Sequence, residues 1–145
     1  MKCLLQRVRA ASVRVDDHIV GEIQQGLLIF VGLERHDGET ELARMAERLL
    51  GYRVFADAEG RMNLSVRDIA GEVLLVSQFT LAAYTRKGMR PGFSTAAAPD
   101  VAEPLFQAFV SMVAESGLTV ETGQFGADMQ VSLTNDGPVT FLLEL

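Results

Sequence analysis

Cysteine is all but absent from this 145-residue chain, where Cys3 stands alone. One thiol permits no internal disulfide, so packing must hold the fold, and the chain suits a reducing compartment. Histidine is nearly as scarce. His18 and His36 are the only two, and neither lies at ligand spacing from a cysteine or a second histidine, which argues against a metal site. The same scarcity leaves a Ser-His-Asp triad short of a base, since His36 sits in the polar turn His36-Asp37-Gly38. Both histidines read as solvated surface. Long apolar runs are also missing: the longest, Leu27-Leu28-Ile29-Phe30-Val31, is far too short to cross a bilayer. Arg7 and Arg9 interrupt the first segment before a signal-peptide core forms, and the expectation is a cytoplasmic protein. Glycine-rich loops of the dinucleotide or phosphate-cradling kind do not occur.

Positive charge is the remaining deficit. Thirteen Lys and Arg against nineteen Asp and Glu leave a formal net charge of −6. Duplex binding draws its affinity largely from cations that neutralise phosphates. A general DNA-binding role is therefore disfavoured, although a local basic patch can still hold a short single-stranded end.

What is present describes one globular domain over 1–145. Hydrophobic residues reach 48 % and charged residues 22 %, enough for a substantial core. Residues 2 to 15 and 18 to 23 read as strands joined at Asp16-Asp17, and 26 to 33 as a buried strand. Gly38-Glu39 opens a helix whose Leu42, Met45, Ala46, Leu49 and Leu50 fall on one stripe. Arg53-Val54-Phe55 and Arg61-Met62-Asn63 flank a turn at 57 to 60. Glu72 to Phe79 reads as the strongest strand, and Thr85 to Ala98 as a long loop. A second helix, roughly 100 to 116, places Val101, Leu105, Phe109, Met112 and Val113 on one side, with Gly117 as its stop. Three more strands are expected to close the chain. The order predicts an α+β fold with two main helices on a largely antiparallel, barrel-like sheet, without regular βαβ alternation.

Two features resist a purely structural reading. In the segment VSQFTLAA (76–83), strand parity puts polar groups on both sides of one strand. Either the strand ends there and its hydroxyls bond nearby backbone, or donors cluster at the mouth of a pocket and await a substrate. Arg7 shares strand parity with Cys3, Leu5, Ala11 and Val13, a mainly apolar side. It either snorkels from an edge strand or is buried against carbonyls that its five donors require. Glu39, Glu41 and Glu47 read as an exposed helix face, and Cys3 as a small core residue. Near the end, TNDGPVT (134–140) separates two strand-like runs, Met129–Leu133 and Val139–Leu143. Its Asp-Gly suits a hairpin turn, yet Pro138 cannot donate to a ladder and restricts the residue before it.

Taken together, SQFTL at 77–81 and NDGPVT at 135–140 resemble the D-aminoacyl-tRNA deacylases, hydrolases that remove D-amino acids from mischarged tRNA. The likeness runs through the whole chain and includes QRVRAASV, RMNLSV, KGMRPGF (87–93) and FGADMQV (125–131). It implies a homodimer without metal or other cofactor, acting on the ester at the 3′-terminal adenosine of an aminoacyl-tRNA, with no role for DNA or membrane. It implies a cis peptide bond at Gly137-Pro138, whose carbonyl oxygens reach into the other subunit's pocket and reject L-amino acids. Ser77, Gln78, Phe79 and Thr80 are then expected to form the catalytic wall, with main-chain N–H groups near Phe79 or Thr80 facing the oxyanion. Arg7 and Asn135 are expected to brace the Gly-Pro segment. Phe125 and Met129 are expected to line an adenine pocket, and Arg86, Lys87 and Arg90 to meet phosphates. Two rival readings stay open at this level: an esterase of small esters with Thr80 as nucleophile, and a non-enzymatic nucleic-acid-binding dimer.

Overall fold

A computed structural model describes residues 1–145. In chain order the strands and helices are β1 (Lys2–Val15), β2 (His18–Ile23), β3 (Gly26–Gly32), α1 (Glu39–Leu50), β4 (Phe55–Ala56), β5 (Met62–Leu64), β6 (Glu72–Ser77), α2 (Pro99–Ala114), β7 (Val120–Thr122) and β8 (Gln130–Glu144), with a 3-10 turn at Phe79–Ala82. The main sheet runs β2-β1-β3-β6-β7, β8 pairs with β1, and β2 comes back against β7, so the sheet nearly closes as a barrel.

Pairing is more mixed than the expected antiparallel sheet. The three partners of β1 are antiparallel to it, whereas β3–β6 and β6–β7 are parallel. Parallel neighbours need a crossover of a dozen or more residues. The β3–β6 crossover contains α1, and the β6–β7 crossover contains α2.

Strand alternation divides the core. Leu27, Ile29 and Val31 of β3 and Val73 and Leu75 of β6 face the helices, where they meet Leu42, Met45, Leu49, Phe106 and Phe109. Leu28, Leu74 and Val76 face the barrel interior with Val8, Ala11, Val13 and Ile23. Burial on both faces is why these strands read as continuous apolar runs. Phe106 and Phe109 are wholly buried, and truncating either to alanine would cost about 3–5 kcal/mol.

Several expectations need correction. In β1 the register slips on either side of Val8. Cys3 and Leu5 therefore belong to the helix-side core and Ala11 and Val13 to the interior one, so the uniform parity assumed around Arg7 does not hold. The α2 stripe is rotated: Ala102, Phe106, Phe109 and Val113 are buried, while Val101 is 49 % exposed. The strand predicted through Phe79 stops at Ser77, where the chain turns into the 3-10 segment, so the two-sided polarity of 76–80 is no strand property. Two strands close the chain instead of three. The runs around TNDGPVT do not pair with each other; both lie along β1 as one interrupted strand, β8.

Candidate active site

The parallel strands β3 and β6 end side by side, and open α/β-type sheets tend to bind ligands beyond such carboxyl ends. Here a cavity of about 920 Å³ opens between those ends, the start of α2 and the segment before β8. Its wall is mostly apolar, drawn from Val31, Val76, Ala97, Val101, Phe125 and Met129 among others, which is the usual character of a small-molecule pocket. Val101 escapes the α2 core because it lines this cavity.

Ser77 and Gln78 add polar groups to the wall of the same cavity, and Phe79 follows them. The Gln78 N–H donates to Val31 O (2.8 Å) and Leu81 N–H to Gln78 O (3.1 Å), which pins the 3-10 turn over β3. That approach depends on Gly32, where a Cβ would sit 2.9 Å from the Leu81 Cβ. The first turn of a helix leaves its N–H groups without partners inside the helix, and those of Phe79 and Thr80 open this 3-10 turn. Phe79 is 59 % exposed, and its ring packs on Phe93 at a centroid distance of 5.0 Å. Thr80 is exposed just outside the cavity wall, its hydroxyl accepting from Gln78 Nε2.

Arg7, Asn135, Gly137 and Pro138 form a second group, and none of them lines the cavity. Between the pairs Val8–Asn135 and Gln6–Thr140, two steps along β1 are matched by five along β8. The surplus is expelled as a bulge, since Pro138 has no N–H for the ladder. The Gly137-Pro138 peptide bond is cis, and both residues are exposed. Arg7 Nε donates to Asp136 O (2.8 Å) and its Nη1 to Val54 O (2.6 Å), with only 15 % of the side chain exposed. Arg7 is thus partly buried, with its donors on carbonyls. Asn135 Oδ1 accepts the Val139 N–H (2.7 Å), and its Nδ2 donates to Thr140 Oγ1 (2.9 Å). A Cβ at Gly137 would lie 2.7 Å from Val139 Cγ2 and 3.1 Å from Arg7 Nη2, at a φ of +145°.

The loop beyond the 3-10 turn is pinched by reciprocal bonds between Tyr84 and Gly92 and carries Arg86, Lys87 and Arg90, all exposed and without ion pairs. The Thr95 hydroxyl donates to Ala82 O and ties the loop back to the 3-10 turn. His18 and His36 are exposed and do not line the cavity. Burial pushes the Cys3 thiol up to about 12, which leaves it an inert core group. Sequence reasoning missed Arg35, Phe93 and the alanines at the start of α2, which also line the cavity. No sequence signal marked Arg35, which stands three residues beyond the end of β3.

The overall fold is found in solved structures. A chain titled c-Myc DNA Unwinding Element Binding Protein superposes with a TM-score of 0.95 at 38 % identity, covering 100 % of this chain and 99 % of that one. A probable eukaryotic D-amino acid tRNA deacylase shares the fold at TM-score 0.85 and 19 % identity, covering 99 % and 98 %. Residues 4–144 match the family described as D-Tyr-tRNA(Tyr) deacylase. D-aminoacyl-tRNA deacylases of Citrobacter koseri and Klebsiella pneumoniae are 57 % and 56 % identical, with each chain covered in full. The chain belongs to this deacylase family. It is an enzyme, a hydrolase of carboxylic ester bonds.

Proposed function

We propose that the protein hydrolyses the ester of D-aminoacyl-tRNA to free tRNA and D-amino acid, a chiral proofreading step in translation. The observation that carries the reading is the meeting of an aromatic and aliphatic cavity with the two main-chain amides that open the 3-10 turn, Phe79 and Thr80, at one strand end. The terminal adenosine lies against Phe125 and Met129, and the ester carbonyl faces the amides. Water attacks the carbonyl carbon, the amides hold the oxyanion, and the ribose oxygen leaves with a proton. Such esters are already activated, and the neighbouring ribose hydroxyl assists, so positioning and oxyanion stabilisation suffice without a triad. Thr80 is not assigned the nucleophile's role, because a hydroxyl needs an adjacent base and its contact is the Gln78 amide.

The Gly137–Pro138 bulge supplies selectivity, and it does so in the cavity of a second copy. Support comes from its exposure and from its absence from its own protomer's cavity wall. A rigid main chain set against the α-carbon leaves room for a D-side chain and collides with an L-side chain. Glycine has no side chain to reject, so glycyl-tRNA is also a substrate. The functional unit is accordingly a cytoplasmic homodimer. One solved relative is titled for a DNA element, yet with a net charge of −6 the few free cations here suit a short single-stranded end better than a duplex.

Side-by-side hydrolysis of D-tyrosyl-tRNA, L-tyrosyl-tRNA, glycyl-tRNA and a small aryl ester tests the reading. The D and glycyl esters should turn over and the L ester should persist. Equal turnover of both enantiomers would refute the selectivity, and preference for the aryl ester would favour a general esterase.

A further inference from the structure

Arg35, Arg44, Arg86, Lys87 and Arg90 are the five of thirteen cationic side chains that make no side-chain hydrogen bond or ion pair. Three of them belong to the loop beyond the 3-10 turn, and Arg44 lies on the exposed side of α1. Arg35 is different: it is the one charged residue lining the 920 Å³ cavity. The carboxylates beside it are committed elsewhere. Asp37 accepts the Met1 ammonium at 2.8 Å and the Glu34 N–H at 2.6 Å, and Glu34 accepts the same ammonium at 2.9 Å. Its backbone is fixed, with Arg35 N–H on Thr95 O at 3.1 Å and the neighbouring Leu33 O accepting Ala97 N–H at 3.0 Å. A guanidinium held on an anchored turn at the mouth of an apolar cavity, with no acceptor from its own chain, is arranged to take one from a ligand.

We propose that Arg35 is a positioning residue that binds the phosphodiester immediately 5′ of the terminal nucleoside, the nucleoside itself occupying the cavity. This rests on the D-aminoacyl-tRNA reading and deepens it. The loop cations then meet phosphates further along the strand, and Arg35 fixes where the chain enters. An ester on a dinucleotide is held better than the same ester on adenosine alone, because only the dinucleotide carries that phosphodiester.

The test compares kcat/KM for D-tyrosyl-adenosine and D-tyrosyl-cytidylyl-adenosine in the wild type and in Arg35→Gln, Arg35→Lys and Arg44→Gln. In Arg35→Gln the advantage of the dinucleotide ester should shrink about two- to fivefold, the range of an exposed ion pair. Arg35→Lys should restore most of it, and Arg44→Gln should leave the ratio at its wild-type value. For the full tRNA, the slope of log KM against log salt should fall by about 0.7 in Arg35→Gln, one single-strand phosphate contact. Because the readout is a ratio, partial misfolding cannot imitate it. Equal losses on both esters, an unchanged ratio, or the same drop in Arg44→Gln would overturn the assignment. A wild type that hydrolyses neither ester would instead refute the substrate reading, and this inference with it.

Discussion

The cavity is lined by side chains gathered from β3, β6, the start of α2 and the segment before β8, whereas the bulge at 136–138 is a few residues of backbone tied down by Arg7 and Asn135. One is concave and mostly apolar; the other projects outward and is held by polar bonds. Apolar contacts are non-directional and tolerate small displacements. Charge-assisted bonds to carbonyls are directional and fix a backbone in place. On the proposed function, affinity falls to the cavity and rejection to the bulge, since rejection fails once the rejecting atoms can yield.

Arg7→Ala gives the sharpest test of that division. It leaves Asp136 O and Val54 O without their donor, a loss of about 2–3 kcal/mol for bonds to a charged group. The urea midpoint should fall accordingly, and the preference for D- over L-tyrosyl-tRNA should largely vanish while D-ester binding survives. Retained discrimination would mean the bulge is rigid without Arg7. Gly137→Ala probes the same element from within. The added Cβ must displace Val139 or the Arg7 guanidinium, at about 1–3 kcal/mol for overpacking. We expect the D/L ratio to drop by about tenfold, the factor equivalent to 1.4 kcal/mol, with the gel-filtration elution matching the wild type. An unaltered ratio would remove the bulge from the selectivity mechanism.

The cavity should respond in KM. Phe125→Ala removes a ring that packs on Phe106 at 6.1 Å and faces the cavity. Base stacking on an aromatic contributes about 1–3 kcal/mol, so KM for D-tyrosyl-tRNA should rise at least fivefold with kcat and the D/L ratio little changed. A fall in kcat alone would place Phe125 elsewhere in the mechanism. Thr80→Val should have a smaller effect, keeping more than about a tenth of kcat if the oxyanion donors are main-chain amides. Loss of turnover with unchanged binding would restore Thr80 as nucleophile.

Much of this contrast was legible in the sequence, though unevenly. The continuous apolar run of β3 and the helical stripe of α1 were readable because burial there follows the residue pattern directly. The end of β6 was misjudged: SQFT has the composition of a strand, and only the tertiary bond from Gln78 N–H to Val31 O turns it into a 3-10 start. TNDGPVT has hairpin chemistry, yet β1 is long enough to pair with both flanking runs and makes it a bulge. Val101 looked like core and lines the cavity, since sequence periodicity cannot tell an apolar pocket wall from an apolar core. Arg35 was invisible for a related reason: its meaning lies in which neighbouring carboxylates are already engaged.

The smallest expected effect lies outside both regions, in the turns after α1. Asp57 is held below the usual carboxylate range by hydrogen bonds from the Asn63 amide and the Arg61 and Glu59 N–H groups. Asp68 is held down by the Ser65 N–H and hydroxyl. A carboxylate depressed in the folded state stabilises above its unfolded pKa, about 3.9, and loses that contribution as pH falls through the folded value. The double variant Asp57→Asn, Asp68→Asn should therefore melt below the wild type at about pH 6, and the gap should narrow as pH drops beneath about 4. Its D/L ratio at about pH 6 should match the wild type, because neither residue touches the cavity or the bulge. A Tm gap that widened on acidification, or a D/L ratio that moved with it, would mean these turns are coupled to the site and that the two regions do not act alone.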